Sequence, residues 1–117
     1  MSESSITRTF SALRARRRTA LIPYLTAGYP DLRSSEETLR AADELADVME
    51  IGVPFSDPLA DGPTIQRATF QALQQGMTLA GTLELIAKCR PRRPVVVFSY
   101  LNPILRYGLD RFLRDAA

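Results

Sequence analysis

Residues 49–62 pass from a short apolar run into a proline-rich loop, Met49-Glu50-Ile51-Gly52-Val53-Pro54-Phe55-Ser56-Asp57-Pro58-Leu59-Ala60-Asp61-Gly62. The apolar run at 47–53 predicts a buried strand that Glu50 interrupts, and residues 54–63 predict a loop. Pro63 stands where a helix favours proline, at its first position, so a helix is expected from there to a stop at Gly76. Strand, loop and helix in this order make one β/α unit.

The same alternation extends to both sides of this unit. Buried strands are predicted at residues 20–26 and, after Pro94, at Val95–Phe98. Helices are predicted at residues 5–17, 34–45, 63–76 and 78–89, and again from about Leu109. Strands that are continuous apolar runs and alternate with helices indicate a parallel sheet covered on both faces.

Local patterns add detail to the helices. Ser34 and Glu37 have the spacing of a capping box, which would start a helix at Ser34. One apolar helix face is expected to contain Leu39, Ala42, Leu45 and Ala46. Asn102 and Pro103 are expected to break the chain before the last helix.

The composition excludes several kinds of site. The 117 residues contain no His and one Cys, Cys89, which rules out a Ser-His-Asp triad, a His-ligated metal, a zinc finger and an intramolecular disulfide. No metal site is therefore expected, and acid–base chemistry falls to carboxylates, Tyr or Lys88. No apolar run approaches the roughly 20 residues of a membrane span, and no secretory signal is evident, so a cytoplasmic location without a membrane partner is expected.

The distribution of charge raises the alternative that the chain binds a polyanion. The net charge is only +2, but Arg14, Arg16, Arg17 and Arg18 cluster near the N-terminus. Such a cluster could bind a polyanion, or it could be the solvated end of a helix whose dipole favours cations. Because no aromatic or glycine-rich interleaving accompanies it, the second reading is favoured and no nucleic-acid partner is expected.

Glu50 and Asp61 are the candidate chemical groups. A carboxylate within a central strand must be paired, hydrogen-bonded or kept for function, and strand ends are where α/β folds place ligand sites. Asp61, eleven residues later, is a good N-terminal cap for the helix at Pro63, but it could also meet Glu50 in one pocket. Asp57 is more typical of a turn former, and Tyr24 and Tyr100 lie at strand ends, where either could line the pocket or simply pack.

Taken together, these motifs resemble the tryptophan synthase α subunit family. The stretch from Glu50 to Gly62 matches the family's signature throughout, and Gly62-Pro63-Thr64-Ile65-Gln66 continues it into the helix. Residues 22–30, Ile-Pro-Tyr-Leu-Thr-Ala-Gly-Tyr-Pro, resemble the family's first strand and loop. Residues 100–103, Tyr-Leu-Asn-Pro, resemble the end of its third strand. The resemblance covers nearly the whole chain and is loosest in the Arg-rich N-terminal helix.

The resemblance implies a fold. It is the (β/α)8 TIM barrel of the α/β class, of which the N-terminal helix (residues 1–18) and about three β/α units (residues 19–117) would be present. A barrel of this kind takes about 250 residues. The chain is therefore expected to be the N-terminal part of a single barrel domain and to be an incomplete fragment, inactive alone because no phosphate-binding segment is evident in it.

The resemblance also implies a reaction. The family is a lyase of tryptophan biosynthesis that cleaves indole-3-glycerol phosphate to indole and glyceraldehyde 3-phosphate by a retro-aldol step, without a cofactor. Glu50 would be the general acid–base, and Asp61 would accept the indole N–H. The residues that would line the indole pocket are Tyr24, Phe98 and Tyr100.

A partner is implied as well. In the family an α2β2 complex forms, and the residues implied to face the β subunit are Pro54, Asp57, Pro58 and Asn102. The alternative is a non-catalytic partial-barrel module that binds a β-type partner subunit.

Overall fold

A computed structural model describes residues 3–117. The elements follow one another as α1 (Ser5–Ala15), β1 (Tyr24–Thr26), α2 (Leu32–Leu45), β2 (Met49–Gly52), α3 (Pro63–Gln74), α4 (Leu79–Cys89), β3 (Val95–Phe98), α5 (Leu101–Tyr107) and α6 (Leu109–Ala116). Residues 1 and 2 of the expected N-terminal segment lie outside the described residues. Its helix, expected over residues 5–17, ends at Ala15, and the segment boundary at residue 18 stays a prediction. Among residues 3–117, no helix combines the length and the apolar character needed to cross a membrane.

The strands form one parallel sheet in the order β1-β2-β3. The register aligns Tyr24 with Glu50 and Glu50 with Val96, and it aligns Thr26 with Gly52 and Gly52 with Phe98. Because side chains alternate along a strand, these six residues share one face of the sheet. Their neighbours Leu25, Ile51 and Val97 point to the opposite face.

The core lies between that opposite face and the helices. Met49 and Ile51 are almost wholly buried there with Leu39 of α2 and Ala72 of α3. Gly28 follows β1 with φ of +86°, and a β-carbon there would lie 2.8 Å from Cβ of Met77. Both the left-handed backbone and the close approach require glycine at this turn. The Gly28 N–H donates to Oγ of buried Ser35 over 2.9 Å, which ties the turn to α2.

Carboxylates fasten the opposite end of the sheet. Asp43 of α2 accepts hydrogen bonds from the backbone N–H groups of Arg92 and Arg93, at 3.1 and 3.0 Å. Asp47 accepts from the N–H of Leu21 at 2.7 Å. These hydrogen bonds fix the segments that precede β1 and β3, so the N-terminal ends of both strands are held in place.

The helix and strand predictions hold at several places. Pro63 is in the first turn of α3, and the hydroxyl of Thr78 caps α4 by accepting from the N–H of Gly81 at 3.0 Å. The third strand spans Val95–Phe98, and the last helix begins at Leu109. The expectation that this strand is buried is wrong, because residues 95–97 are only half-buried and Phe98 is 49% exposed, so one face of the sheet is open.

The predicted first strand is too long. Only Tyr24–Thr26 forms a strand, and Leu21 is 55% exposed and not buried. Proline has no N–H to donate to a neighbouring strand, so Pro23 interrupts the ladder. The Leu21 carbonyl still accepts from the backbone N–H groups of Asp47 and Val48, at 2.9 and 3.5 Å.

The predicted capping box is wrong. Helix α2 begins at Leu32, and its N-cap is Asp31, whose carboxylate accepts from both the N–H and the hydroxyl of Ser34. Ser34 therefore lies inside the first turn. The predicted apolar face is also too wide, because Leu39 and Ala46 are buried but Leu45 is 75% exposed.

The predicted break at Asn102 and Pro103 is wrong as well. Both residues lie in the first turn of α5, which begins at Leu101 after the N-cap residue Tyr100. The first N–H groups of a helix have no partner within the helix, so proline removes nothing there.

Candidate active site

The open face of the sheet carries the candidate catalytic side chains. Glu50 is half-buried in the middle of β2, between Tyr24 on β1 and Val96 on β3. In the described part of the chain, its carboxylate takes part in no hydrogen bond or ion pair within the usual distances. The strand thus places a carboxylate among apolar and aromatic neighbours at the edge where parallel strands end.

Asp61 reaches the same region from the loop after β2. The expectation that it caps α3 is wrong, because the N-cap is Gly62 and no side chain supplies a capping hydrogen bond. The Asp61 carboxylate instead accepts from the hydroxyl of Tyr100, with 3.2 Å between the two oxygens. Gln66 of α3 donates to the backbone carbonyl of Asp61 at 2.8 Å and holds its main chain.

Burial and the charges of both candidate carboxylates, Asp61 and Glu50, affect the pKa of the Tyr24 hydroxyl. Burial raises the pKa of this hydroxyl above the ordinary value, a hydrogen bond with the Thr26 side chain opposes the change, and the charges of Asp61 and Glu50 add to it. The sheet register places Tyr24 beside Glu50, and the hydrogen bond to Tyr100 places Asp61 next to the residue that begins α5. That the two carboxylates share one pocket stays a prediction.

Aromatic rings line this region. The rings of Tyr24 and Phe98 meet edge to face, with 5.7 Å between their centroids and planes at 89°. The rings of Phe55 and Tyr100 lie 5.3 Å apart and tilted by 36°. Such pairs form flat apolar walls suited to another aromatic ring. Phe98 remains 49% exposed, so its ring is accessible from the open face.

Two residues of this region were missed by sequence reasoning. Gly52 leaves room for Tyr24, since a β-carbon at Gly52 would lie 1.9 Å from the Tyr24 hydroxyl oxygen. A glycine inside an apolar strand is a signal of close approach and could have indicated this. Phe55 packs on Tyr100, and nothing in the local pattern of the loop distinguishes it.

A cleft of about 900 Å3 lies beside the loop, next to α5 and α6, and shares Phe55 with the aromatic region. Pro54, Asp57 and Asn102 line it, together with Arg106 and Arg111. Pro58 does not line it, and its carbonyl accepts a hydrogen bond from Gln66 at 3.2 Å. Three of the four residues predicted to face a partner thus share one concave surface.

Metal binding has no candidate in the part of the chain that the structure describes. Residues 3–117 contain no group of three or more His, Cys, Asp or Glu side chains that could hold a metal ion.

Comparisons with known proteins agree with this architecture. The curated tryptophan synthase alpha chain of Gloeobacter violaceus is 48% identical over 119 residues, which covers 99% of this chain and 43% of the relative. The solved tryptophan synthase subunit alpha of Legionella pneumophila superposes with a TM-score of 0.91 at 38% identity over 98% of this chain and 45% of its own. A solved tryptophan synthase of M. tuberculosis gives 0.90 at 45% identity over 97% and 47%.

The chain spans less than half the length of these relatives. The predicted fold is confirmed, because the structural neighbours are TIM barrels and the three-stranded parallel sheet with its helices corresponds to under half of such a barrel. The family model described as tryptophan synthase alpha chain matches residues 10–117. The chain therefore belongs to the tryptophan synthase alpha chain family.

Proposed function

We propose that this chain supplies the acid–base groups of a lyase that cleaves indole-3-glycerol phosphate to indole and glyceraldehyde 3-phosphate. The observation that carries the proposal is the placement of the two carboxylates: Glu50 lies beside Tyr24 in the sheet, and Asp61 is hydrogen-bonded to Tyr100 at the end of β3. Two carboxylates around one aromatic-walled space suit a substrate that needs proton transfer and charge stabilisation at an indole ring.

The two carboxylates have different roles in the proposed reaction. Glu50 gives a proton to C3 of the indole, which makes the ring a cation whose charge lies largely on N1. Asp61 accepts the hydrogen bond of that N–H and stabilises the cation. Glu50, now ionised, takes the proton of the glycerol hydroxyl next to C3, the C–C bond breaks, and its electrons restore the neutral indole while the hydroxyl becomes the aldehyde. The proton count balances without a cofactor.

The aromatic walls position the ring. Tyr24 and Phe98 form one edge-to-face pair, and Phe55 with Tyr100 forms another. We propose that the indole packs against these rings with its N–H toward Asp61. Apolar packing of this kind excludes water and strengthens the hydrogen bond to the carboxylate.

We further propose that the activity belongs to a complete barrel. TIM-barrel enzymes often hold a substrate phosphate with loops after strands 7 and 8 and assemble their sites from several strand ends. Residues 1–117 correspond to less than half the length of the relatives. We therefore expect these residues alone to have no measurable lyase activity.

The test uses the complete gene product that carries this sequence. Glu50→Gln and Asp61→Asn keep the shape of each side chain and remove its charge, and each should lower kcat by on the order of 10²–10⁴. Glu84→Gln, an exposed residue of α4, is the matched control and should leave kcat unchanged. Full activity in both site variants would contradict the proposal.

We also propose that the cleft beside the loop receives a β-type subunit. Asp57 and Asn102 are exposed on its walls. The Asp57 carboxylate gives the cleft a negative charge, and the guanidinium groups of Arg106 and Arg111 give it positive charges. Asp57→Lys should weaken co-purification with the β subunit, whereas Glu84→Lys should not. Binding that survives Glu50→Gln while no lyase activity is found in the unsubstituted protein would favour the non-catalytic module.

A further inference from the structure

One hydroxyl group joins the end of β3 to the loop that carries Asp61. Tyr100 is the N-cap residue of α5 and lies two positions after the end of β3. Its hydroxyl oxygen lies 2.9 Å from the backbone nitrogen of Ala60 and 3.2 Å from Oδ2 of Asp61. The two contacts span 40 and 39 residues of sequence. Tyr100 thus holds two consecutive residues of the loop.

The direction of each hydrogen bond follows from the chemistry of the groups. The Ala60 N–H can only donate, so the phenol oxygen accepts there. An ionised carboxylate can only accept, so the single phenol proton points to Asp61. A donor that already accepts a hydrogen bond is polarised, which strengthens the bond it gives.

Ahead of the loop, the N–H of Val53 donates to the carbonyl of Phe98 in β3 at 2.9 Å. The loop's internal backbone bonds are local, from Leu59 to Asp57 at 2.8 Å and from Asp61 to Pro58 at 3.1 Å. Gln66 holds the carbonyls of Pro58 and Asp61 from α3. The Tyr100 side chain therefore links the Asp61 carboxylate to the end of β3, the strand that pairs with the strand of Glu50.

We propose that Tyr100 is a positioning residue for Asp61 and not only a wall of the pocket. Its proton fixes Oδ2, and in the described part of the chain Oδ1 accepts no hydrogen bond, so Oδ1 is the oxygen offered to the substrate N–H. This inference rests on the proposed function and adds how one of its two carboxylates is oriented. The ring itself, packed on Phe55, would still be present in a phenylalanine.

The test separates the hydroxyl from the ring in the complete gene product. Tyr100→Phe should lower kcat about tenfold or more and change KM less than twofold, because the ring stays and only the orientation of Asp61 is lost. Tyr107→Phe is the matched control, since it also removes a tyrosine hydroxyl that contacts a carboxylate, that of Asp115 in α6. Because Tyr107 also lines the cleft proposed to receive a β-type subunit, both variants are assayed without that subunit. The control should leave both constants unchanged.

A double-mutant cycle shows whether the effect passes through Asp61. When Asp61→Asn is already present, adding Tyr100→Phe should lower kcat by less than threefold, because the group it orients is gone. Additive losses would overturn the proposal, and so would a Tyr100→Phe variant that raises KM while kcat is unchanged.

Amide hydrogen exchange gives a readout that needs no activity. Tyr100→Phe should speed exchange at the Ala60 amide at least tenfold more than at amides of β2. Equal acceleration everywhere would mean a merely structural role and would overturn the proposal. An inactive unsubstituted protein with a selectively accelerated Ala60 amide would contradict the proposed function and leave the orienting contact established.

Discussion

The hydroxyl oxygen of Tyr24 occupies the space where a side chain of Gly52 would begin. A β-carbon built on Gly52 would lie 1.9 Å from that oxygen and 2.6 Å from Cζ of the ring. Gly52 is not forced by its backbone, since its φ is not in the left-handed region. The glycine therefore exists in β2 to let an aromatic side chain of β1 cross over the neighbouring strand.

Gly52→Ala is expected to lower the free energy of unfolding by about 1–3 kcal/mol, because an overpacked site must displace the Tyr24 ring. Urea denaturation measures this change. Gly62→Ala is the control, since a β-carbon there meets no atom within 4 Å, and its cost should be smaller. Adding Tyr24→Ala should recover part of the loss at Gly52, and no recovery would contradict the steric explanation.

Ser35→Ala is expected to loosen the turn after β1. The Ser35 hydroxyl accepts from the buried N–H of Gly28, and its removal leaves that donor without its partner at a cost of about 1–3 kcal/mol. Faster exchange of the Gly28 amide, together with a lower urea midpoint, would be the observed result. Ser5→Ala, an exposed position in α1, should change neither quantity.

Alkaline pH should destabilise the protein through Tyr24. Burial raises the pKa of its hydroxyl above the ordinary 10.0, so the folded state keeps a proton that the unfolded state releases. The contribution of this group is fully present below pH about 10 and is lost as the pH rises through the folded-state pKa. Tyr24→Phe should flatten this alkaline loss in urea unfolding midpoints measured from pH 8 upward. An unchanged slope would show that other groups cause it.

Acid pH should weaken the contact between α2 and α4. A hydrogen bond from Lys88, at 2.9 Å, and a second from Arg40 lower the pKa of Glu36 below 4.5. The stability from this group is present above that ordinary value and is lost as the pH falls through the lowered folded-state pKa. Glu36→Gln should remove this part of the acid limb in thermal melts, whereas Glu44→Gln, exposed on the same helix, should keep it.

Helix starts were predicted correctly where a single residue has one favourable position in a helix. Pro63 and Thr78 each have a single favourable role, and the helices begin where they indicate. The prediction of a helix start was wrong where two nearby residues could both act as the N-cap. Asp31 and Ser34 can both cap a helix, and Asp31 prevails because its carboxylate receives both the N–H and the hydroxyl of Ser34.

The site was predicted in part for a similar reason. The residues alone allow Glu50 and Asp61 to meet in one pocket, and the family resemblance is what selects them as a catalytic pair, which stays a prediction. The Tyr100 bridge and the Phe55 contact could not be predicted, since they join positions about 40 residues apart and depend on how the loop bends. The cap predicted at Asp61 was wrong because the carboxylate has a better donor in Tyr100 than in the helix N-terminus.

The strand order in the sheet has a consequence for biosynthesis. Because β2 pairs with β1, and β3 pairs with β2, the second and third strands each find a partner that left the ribosome before them. Domains fold during synthesis at about 5–20 residues per second, and a sheet that grows by one neighbouring strand at a time needs no later segment to begin. Nascent chains arrested only after β3 has cleared the ribosomal exit tunnel should therefore already protect the β2 amides, because β2 then has both of its partners.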